Sequence, residues 1–334
     1  MKRLLAKFSI DPYILMLLGT VVLASILPVR GVAAEIFGYV VYAAIALLFF
    51  LYGAKLSLQS IGQGLLHWRL QSFVFLCTYL LFPVLGLGIA WLARGHVTGD
   101  LIIGLLFLSV LPSTVQSSIA FTSIARGNVA AAMTSASVSN LVGVLLTPLL
   151  VALVLGTKGV TISLDSVVDL GVQLLLPFAV GQLCRPWLGP KLKAHPRLTS
   201  FADRGSILLV VYSAFSAGVV AGIWSRVDAA DLGWLIGLCA LMLAVVLLVT
   251  SVMARKLGFS EEDRIAIIFC GSKKSLATGI PMAGILFAGS AVSLIVLPLM
   301  LFHQLQLFAC AFLARGFAAR PQAVPPAPVP ARVN

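Results

Sequence analysis

The sequence predicts an all-α integral membrane protein of ten transmembrane helices, and three observations carry that prediction. Of its 334 residues 60% are hydrophobic and 10% charged, with a mean hydropathy of +1.08, a composition that leaves too little polar surface for a soluble domain. The charges fall in short bursts between apolar runs long enough to cross ~30 Å of hydrocarbon. The basic residues concentrate in alternate bursts, as they do in loops held on the cytoplasmic side of a membrane.

The first run, 12–29, follows Lys2, Arg3 and Lys7 and ends at Arg30. With Ala33 and Ala34 beyond it the stretch resembles a secretory signal, but nine further runs favour a retained first helix. The second, 34–53, stops at Lys55, and the third, 70–93, lies between Arg69 and Arg94. The fourth, 100–123, closes before Arg126, and the fifth, 128–155, before Lys158. The sixth, 168–187, holds Gln173, Pro177 and Gln182, which predict a kink and two amides in the wall of the bundle. The stretch from Arg185 to Arg204, with Pro186, Pro190 and Pro196, reads as a linker to the seventh run, 205–225. The eighth, 232–254, ends at Arg255, the ninth, 264–287, starts at Arg264, and the tenth, 291–313, ends before Arg315. With a cytoplasmic amino terminus only Arg30, Arg94, Lys158 and Arg226 fall outside, which places both termini in the cytoplasm of a plasma or inner membrane.

Five runs lie on each side of the loop near Lys158, and an odd number per half forces the second half to insert upside down. The chain then divides into a first repeat, 1–160, a second, inverted repeat, 161–315, and a tail, 316–334, whose Pro321, Pro325, Pro326, Pro328 and Pro330 predict disorder. Inverted repeats are characteristic of secondary transporters.

Several function classes are disfavoured. The net charge of +12 is spread over separate loops without stacking aromatics, so it marks topology and not a nucleic-acid partner. Cys77, Cys184, Cys239, Cys270 and Cys310 are odd in number, with no metal or disulfide spacing. There is no HExxH, no paired carboxylate and no Ser/His/Asp set at membrane depth, so no enzyme is expected, and no metal or cofactor.

The fourth run breaks at Leu111 and Pro112 and continues through Ser113, Thr114, Gln116, Ser117 and Ser118. Such backbone is tolerated at membrane depth only where protein or a water-filled cavity surrounds it, so these groups face inward, to a ligand or to a neighbouring helix. In the fifth run Thr134, Ser135, Ser137 and Ser139 allow close packing, and Asn140 is a candidate binding residue. The ninth run, in the matching place, is interrupted by Gly271, Ser272, Lys273, Lys274 and Ser275, with Pro281 as a further break. A lysine at a helix centre costs at least ~2.5 kcal/mol on insertion scales, so two in a row demand a partner or a cavity. His303 and Gln304, with Gln306, could line the same cavity or serve as partners between helices. Matched interrupted helices point to the binding site of a transporter.

These residues resemble the bile acid:sodium symporter family, in the bacterial branch similar to the seventh member of vertebrate solute carrier family ten. The resemblance covers nearly the whole chain. It rests on the Leu111-Pro112 break with Ser117 and Ser118, the turn Ala125 to Ala130, the stretch Ser137-Val138-Ser139-Asn140 to Thr147-Pro148, and Gly271-Ser272-Lys273-Lys274-Ser275 to Pro281. It implies two inverted five-helix repeats whose broken fourth and ninth helices cross in a core that moves against a panel domain. It also implies a sodium site on the fourth, fifth and ninth helices, and there this chain departs from the family. Ser117 and Ser118 roughly match a Ser-Asn pair, but Ala132 and Ala136 stand in place of a Ser and a Thr, Lys273 and Lys274 in place of Gln-Asn, and the preceding glutamate is missing at Phe269 or Cys270.

The departures count against sodium coupling, and an ammonium seated at the crossover is one physical alternative. Function is expected to be secondary transport of small organic anions by alternating access, the anion being inferred from the two lysines and from the family's leaning. The alternative is a regulatory or scaffold membrane protein that kept the fold and lost turnover.

Overall fold

The computed structural model describes residues 12–55, 67–156, 164–222, 225, 227–287 and 291–320. Lys2, Arg3, Lys7, Lys158, Arg226 and the prolines from Pro321 onward lie outside them. The regular structure of the described residues is helical throughout: α1 (Pro12–Ile26), α2 (Val32–Lys55), α3 (Trp68–Leu92), α4 (Gly99–Val110), α5 (Gln116–Ile124), α6 (Val129–Gly156), α7 (Leu164–Ala194), α8 (Pro196–Val220), α9 (Ala229–Lys256), α10 (Glu261–Gly271), α11 (Leu276–Leu286) and α12 (Val292–Ala318). Of these α2, α3, α6, α9 and α12 are long and apolar enough to cross a membrane, and α1, α4 and α8 contribute shorter apolar stretches.

Three local expectations need correction. The basic stretch 185–204 is helical almost throughout, with α7 running to Ala194 and α8 starting at Pro196. Pro186 and Pro190 each delete one bond of the helical ladder, and they do so near the helix end, where Pro186 and Trp187 are exposed and a freed carbonyl can find solvent. Pro281 lies within α11 and breaks nothing. It forfeits only the bond to the Ala277 carbonyl, and Ala277 lines a cavity. Helix α12 carries on through Ala318, past the boundary drawn at 315.

Burial separates the helices by role. Every residue from Ile265 to Gly271 in α10 is buried, and in α4 only Ile102 and Ile103 of the stretch Leu101–Val110 are partly exposed. Around this interior the outer helices turn large apolar side chains outward, among them Tyr39, Leu153, Leu183 and Phe312, as a lipid-facing surface requires. Helix α2 packs along α7, and the contact is set by reciprocal glycines. A Cβ at Gly53 would stand 2.0 Å from the Phe178 carbonyl oxygen, and one at Gly181 2.0 Å from that of Phe50, so the two backbones touch where neither could carry a side chain.

Where α5 ends, Gly127 N–H donates to the Thr122 carbonyl (2.8 Å) and Arg126 N–H to that of Ser123 (3.1 Å), a Schellman closure with Arg126 in the left-handed region at φ 61°. Asn128 then accepts from Ala131 N–H, capping α6, and donates to Asp263 Oδ1 at 2.8 Å. This turn therefore ties α5 and α6 to the first turn of α10. The five cysteines are free, and all but Cys184 are buried.

Candidate functional site

The breaks after α4 and α10 touch. Ser275 N–H donates to the Pro112 carbonyl at 2.8 Å. A helix end leaves its last carbonyls without helical donors, and in an apolar interior each must find another. At the end of α4 the Val110 carbonyl accepts from Thr147 Oγ1 (3.0 Å) and the Ser113 carbonyl from Asn140 Nδ2 (2.7 Å). Ser109 and Leu111 carbonyls both accept from Lys274 Nζ, at 2.8 and 2.6 Å. At the end of α10 the Ile268 carbonyl accepts from Ser272 Oγ (2.5 Å), that of Phe269 from Ser118 Oγ (2.9 Å) and that of Cys270 from Ser113 Oγ (2.6 Å). Each broken helix thus takes part of its capping from the other break, α4 from Lys274 and α10 from Ser113 and Ser118. Gln306 on α12 completes the brace, accepting from Lys274 N–H (2.9 Å) and donating to the Lys274 carbonyl (3.0 Å).

Lys274 Nζ takes a third bond, 2.8 Å to the Thr78 carbonyl. That carbonyl is available because α3 contains a π-helical turn, Cys77–Leu81, in which Phe82 N–H donates to Cys77. The next residue, Pro83, has no N–H to give, so neither the α nor the π ladder can serve Thr78. Both lysines are fully buried. Lys273 Nζ has no hydrogen-bond partner among the described residues. It stands 4.2 Å from the ring centroid of Phe121 and 5.4 Å from that of Phe269, within range of a cation–π attraction.

A cavity of about 710 Å³ lies against the breaks. Its polar wall includes Thr114, Gln116, Ser117, Ser137, Asn140, Ser275 and Thr278, with His303 beside them. Asn140 joins the two breaks there, since its Oδ1 accepts from Thr278 Oγ1 at 2.8 Å while its amide holds Ser113. Apolar walls include Phe49, Phe178 and Leu141, and Lys55, Arg204 and Arg315 also line the cavity. Among the described residues no Asp or Glu does.

The residues expected from the sequence therefore separate. Thr114, Gln116, Ser117, Asn140, Ser275 and His303 line the cavity, whereas Ser113, Ser118 and Lys274 face the carbonyl ends behind it. Lys273 is shielded from the cavity by Phe121, itself a lining residue. Pro112 and Gly271 mark the two breaks, with Leu111 already extended and Gly271 the last residue of α10. Gln304 is off the cavity wall and its Oε1 has no partner among the described residues; Gln306 is the glutamine that braces the break. Ser137, Thr278, Lys55, Arg204 and Arg315 line the cavity as well, a role not assigned to them from the sequence. The three cations carried a topology signal, and their place at the very ends of apolar runs was the one hint of a second role.

Comparison with known proteins places the chain in a family. Residues 11–319 match the SBF-like CPA transporter family. A protein of Pseudomonas aeruginosa, named only as uncharacterized, is 54% identical over 315 residues, covering 94% of this chain and 95% of its own. The Escherichia coli protein named "Putative symporter YfeH" is 50% identical over 308 residues, 92% of this chain and 93% of that one. Sodium/bile acid cotransporter 7 of Xenopus tropicalis is 30% identical over 275 residues, 80% and 79% of the two chains. With a transporter family matched across most of its length and several apolar helices of spanning length, this is a multi-pass membrane protein, and the chain belongs to the SBF-like CPA transporter family.

Proposed function

We propose that the protein is a secondary transporter of small organic anions that works by alternating access. Two inverted five-helix halves, 1–160 and 161–315, supply it, with the broken pairs α4/α5 and α10/α11 crossing at the solute site. One observation carries the proposal: a cavity of about 710 Å³, the size of small-molecule sites, touches both breaks and has Lys55, Arg204 and Arg315 in its lining. Its hydroxyls and amides offer hydrogen bonds, its aromatic walls suit an apolar body, and its cations suit an acidic group. The three cations belong to the basic stretches, here helix ends and helical turns, that the charge asymmetry assigns to the cytoplasm, so the cavity is read as facing inward with both termini cytoplasmic. The vertebrate relatives are named sodium/bile acid cotransporters, and a bile acid is one solute of this general shape, an acid on an apolar frame.

Purified protein in liposomes, tested for uptake of radiolabelled carboxylates, sulfonates, neutral sugars and amines, examines the reading directly. Uptake is expected for acids alone. Arg204→Gln and Arg315→Gln should each raise the half-saturation concentration roughly tenfold, the effect of one lost charge-assisted hydrogen bond. Uptake of neutral or cationic solutes, or indifference to both substitutions, contradicts it.

A further inference from the structure

The Lys274 ammonium sits where three main-chain carbonyls converge, those of Thr78, Ser109 and Leu111, at 2.6 to 2.8 Å. The three come from different causes. Thr78 is freed by the π turn and Pro83, while Ser109 and Leu111 stand at the frayed end of α4, where the helix dipole is negative. A protonated amine has three N–H donors and no acceptor, so three carbonyls match it fully, whereas a neutral amine would set its lone pair against one of them. The Phe82 ring, 4.2 Å from Nζ, adds the negative face of an aromatic to the same cage. Carbonyl oxygens collected around one point, without a carboxylate, are the ligand set of a small hard monovalent cation.

We infer that Lys274 is a tethered cation: its ammonium permanently fills a carbonyl cage that would otherwise hold a sodium-sized ion, so the crossing takes up no free coupling cation. In the wild type the cage is filled from within the chain, since Lys274 is fully buried and does not line the cavity, and truncating the side chain to Cβ frees the space that it occupies. The residues present therefore do not fit a bound sodium ion at this place, because the position is taken by a group the chain itself supplies. This deepens the transport reading and rests on it for its meaning, but its test does not require transport.

The test is thermal stability of the purified full chain in sodium, potassium and choline chloride at matched ionic strength. A ligand that binds only the folded state raises stability by mass action. Wild type is expected to melt at one temperature in all three salts, and a sodium-specific rise overturns the inference. Lys274→Ala empties the cage, and it is expected to melt lower than wild type and to regain several degrees in sodium but not in choline. It should also be stabilised by n-propylammonium, which returns an ammonium to the cage, and not by n-propanol. If Lys274→Ala does not accumulate, Lys274→Asn, which leaves room for an ion and keeps one amide donor, replaces it with the same expectation. A variant that answers to neither sodium nor propylammonium overturns the inference. Absent uptake in liposomes together with the expected melting pattern would remove the transport reading and leave the tethered cation standing.

Discussion

At the scale of single residues the site is held by side chains that serve backbone groups. Asn140 is the clearest case, because one carboxamide satisfies the Ser113 carbonyl on one break and the Thr278 hydroxyl on the other. Asn140→Leu keeps the volume, strands the carbonyl of the buried Ser113 and leaves Thr278 Oγ1 with Ser275 Oγ alone, and a buried polar group left unpaired costs about 1–3 kcal/mol. A melting point several degrees below wild type is expected in detergent, and an unchanged one would show that Asn140 is not the link between the breaks. Tyr79 likewise serves a backbone group, donating to the Ser139 carbonyl at 2.5 Å. Polar residues such as Ser113, Ser118 and Lys274 were legible as candidates because they interrupt apolar runs, and hydropathy registers any such interruption. What could not be read was which of them face the cavity and which face a carbonyl behind it, since that depends on which break lies against which. The Thr78 carbonyl was invisible altogether, because a π turn of Cys, Thr, Tyr and Leu has the composition of any apolar helix.

At the scale of elements the decisive feature is how closely helices approach. Helices α2 and α7 meet at Gly53 and Gly181, each of which would place a Cβ within 2.0 Å of the facing carbonyl oxygen. Gly53→Ala must push the helices apart, and overpacking of this kind costs typically about 1–3 kcal/mol. Gly38→Ala, on the same helix but with nothing within 4 Å of its Cβ, should leave the melting point unchanged or raise it slightly, as alanine does in a helix. Equal melting points for the two variants would contradict the packing described here. The order of the helices was readable from apolar runs and charge bursts, and the observed ends fall within a few residues of those expected. The exception, 185–204, failed for a physical reason: prolines near a helix end delete few bonds, so Pro186 and Pro190 punctuate the sequence without stopping α7.

At the scale of the whole molecule, two buried helix ends that each take caps from the other's break lie against one cavity, and the proposed transport cycle would open that cavity to one side at a time. In the proposed alternating-access cycle the exchange of caps, Lys274 onto α4 and Ser113 with Ser118 onto α10, would hold α4/α5 and α10/α11 together as one unit. The cavity that they border, with its three cations, should then be reached from the cytoplasm in one state and from the opposite side in the other. Ser117→Cys, on the cavity wall, reports this in a chain whose half-exposed Cys184 has been replaced by Ser. The rate of labelling by a membrane-impermeant thiol reagent is measured in inside-out and in right-side-out membrane vesicles. Alternating access predicts labelling in both, with a transported acid slowing one rate and changing the other in the opposite sense, whereas labelling confined to inside-out vesicles under every condition would contradict it.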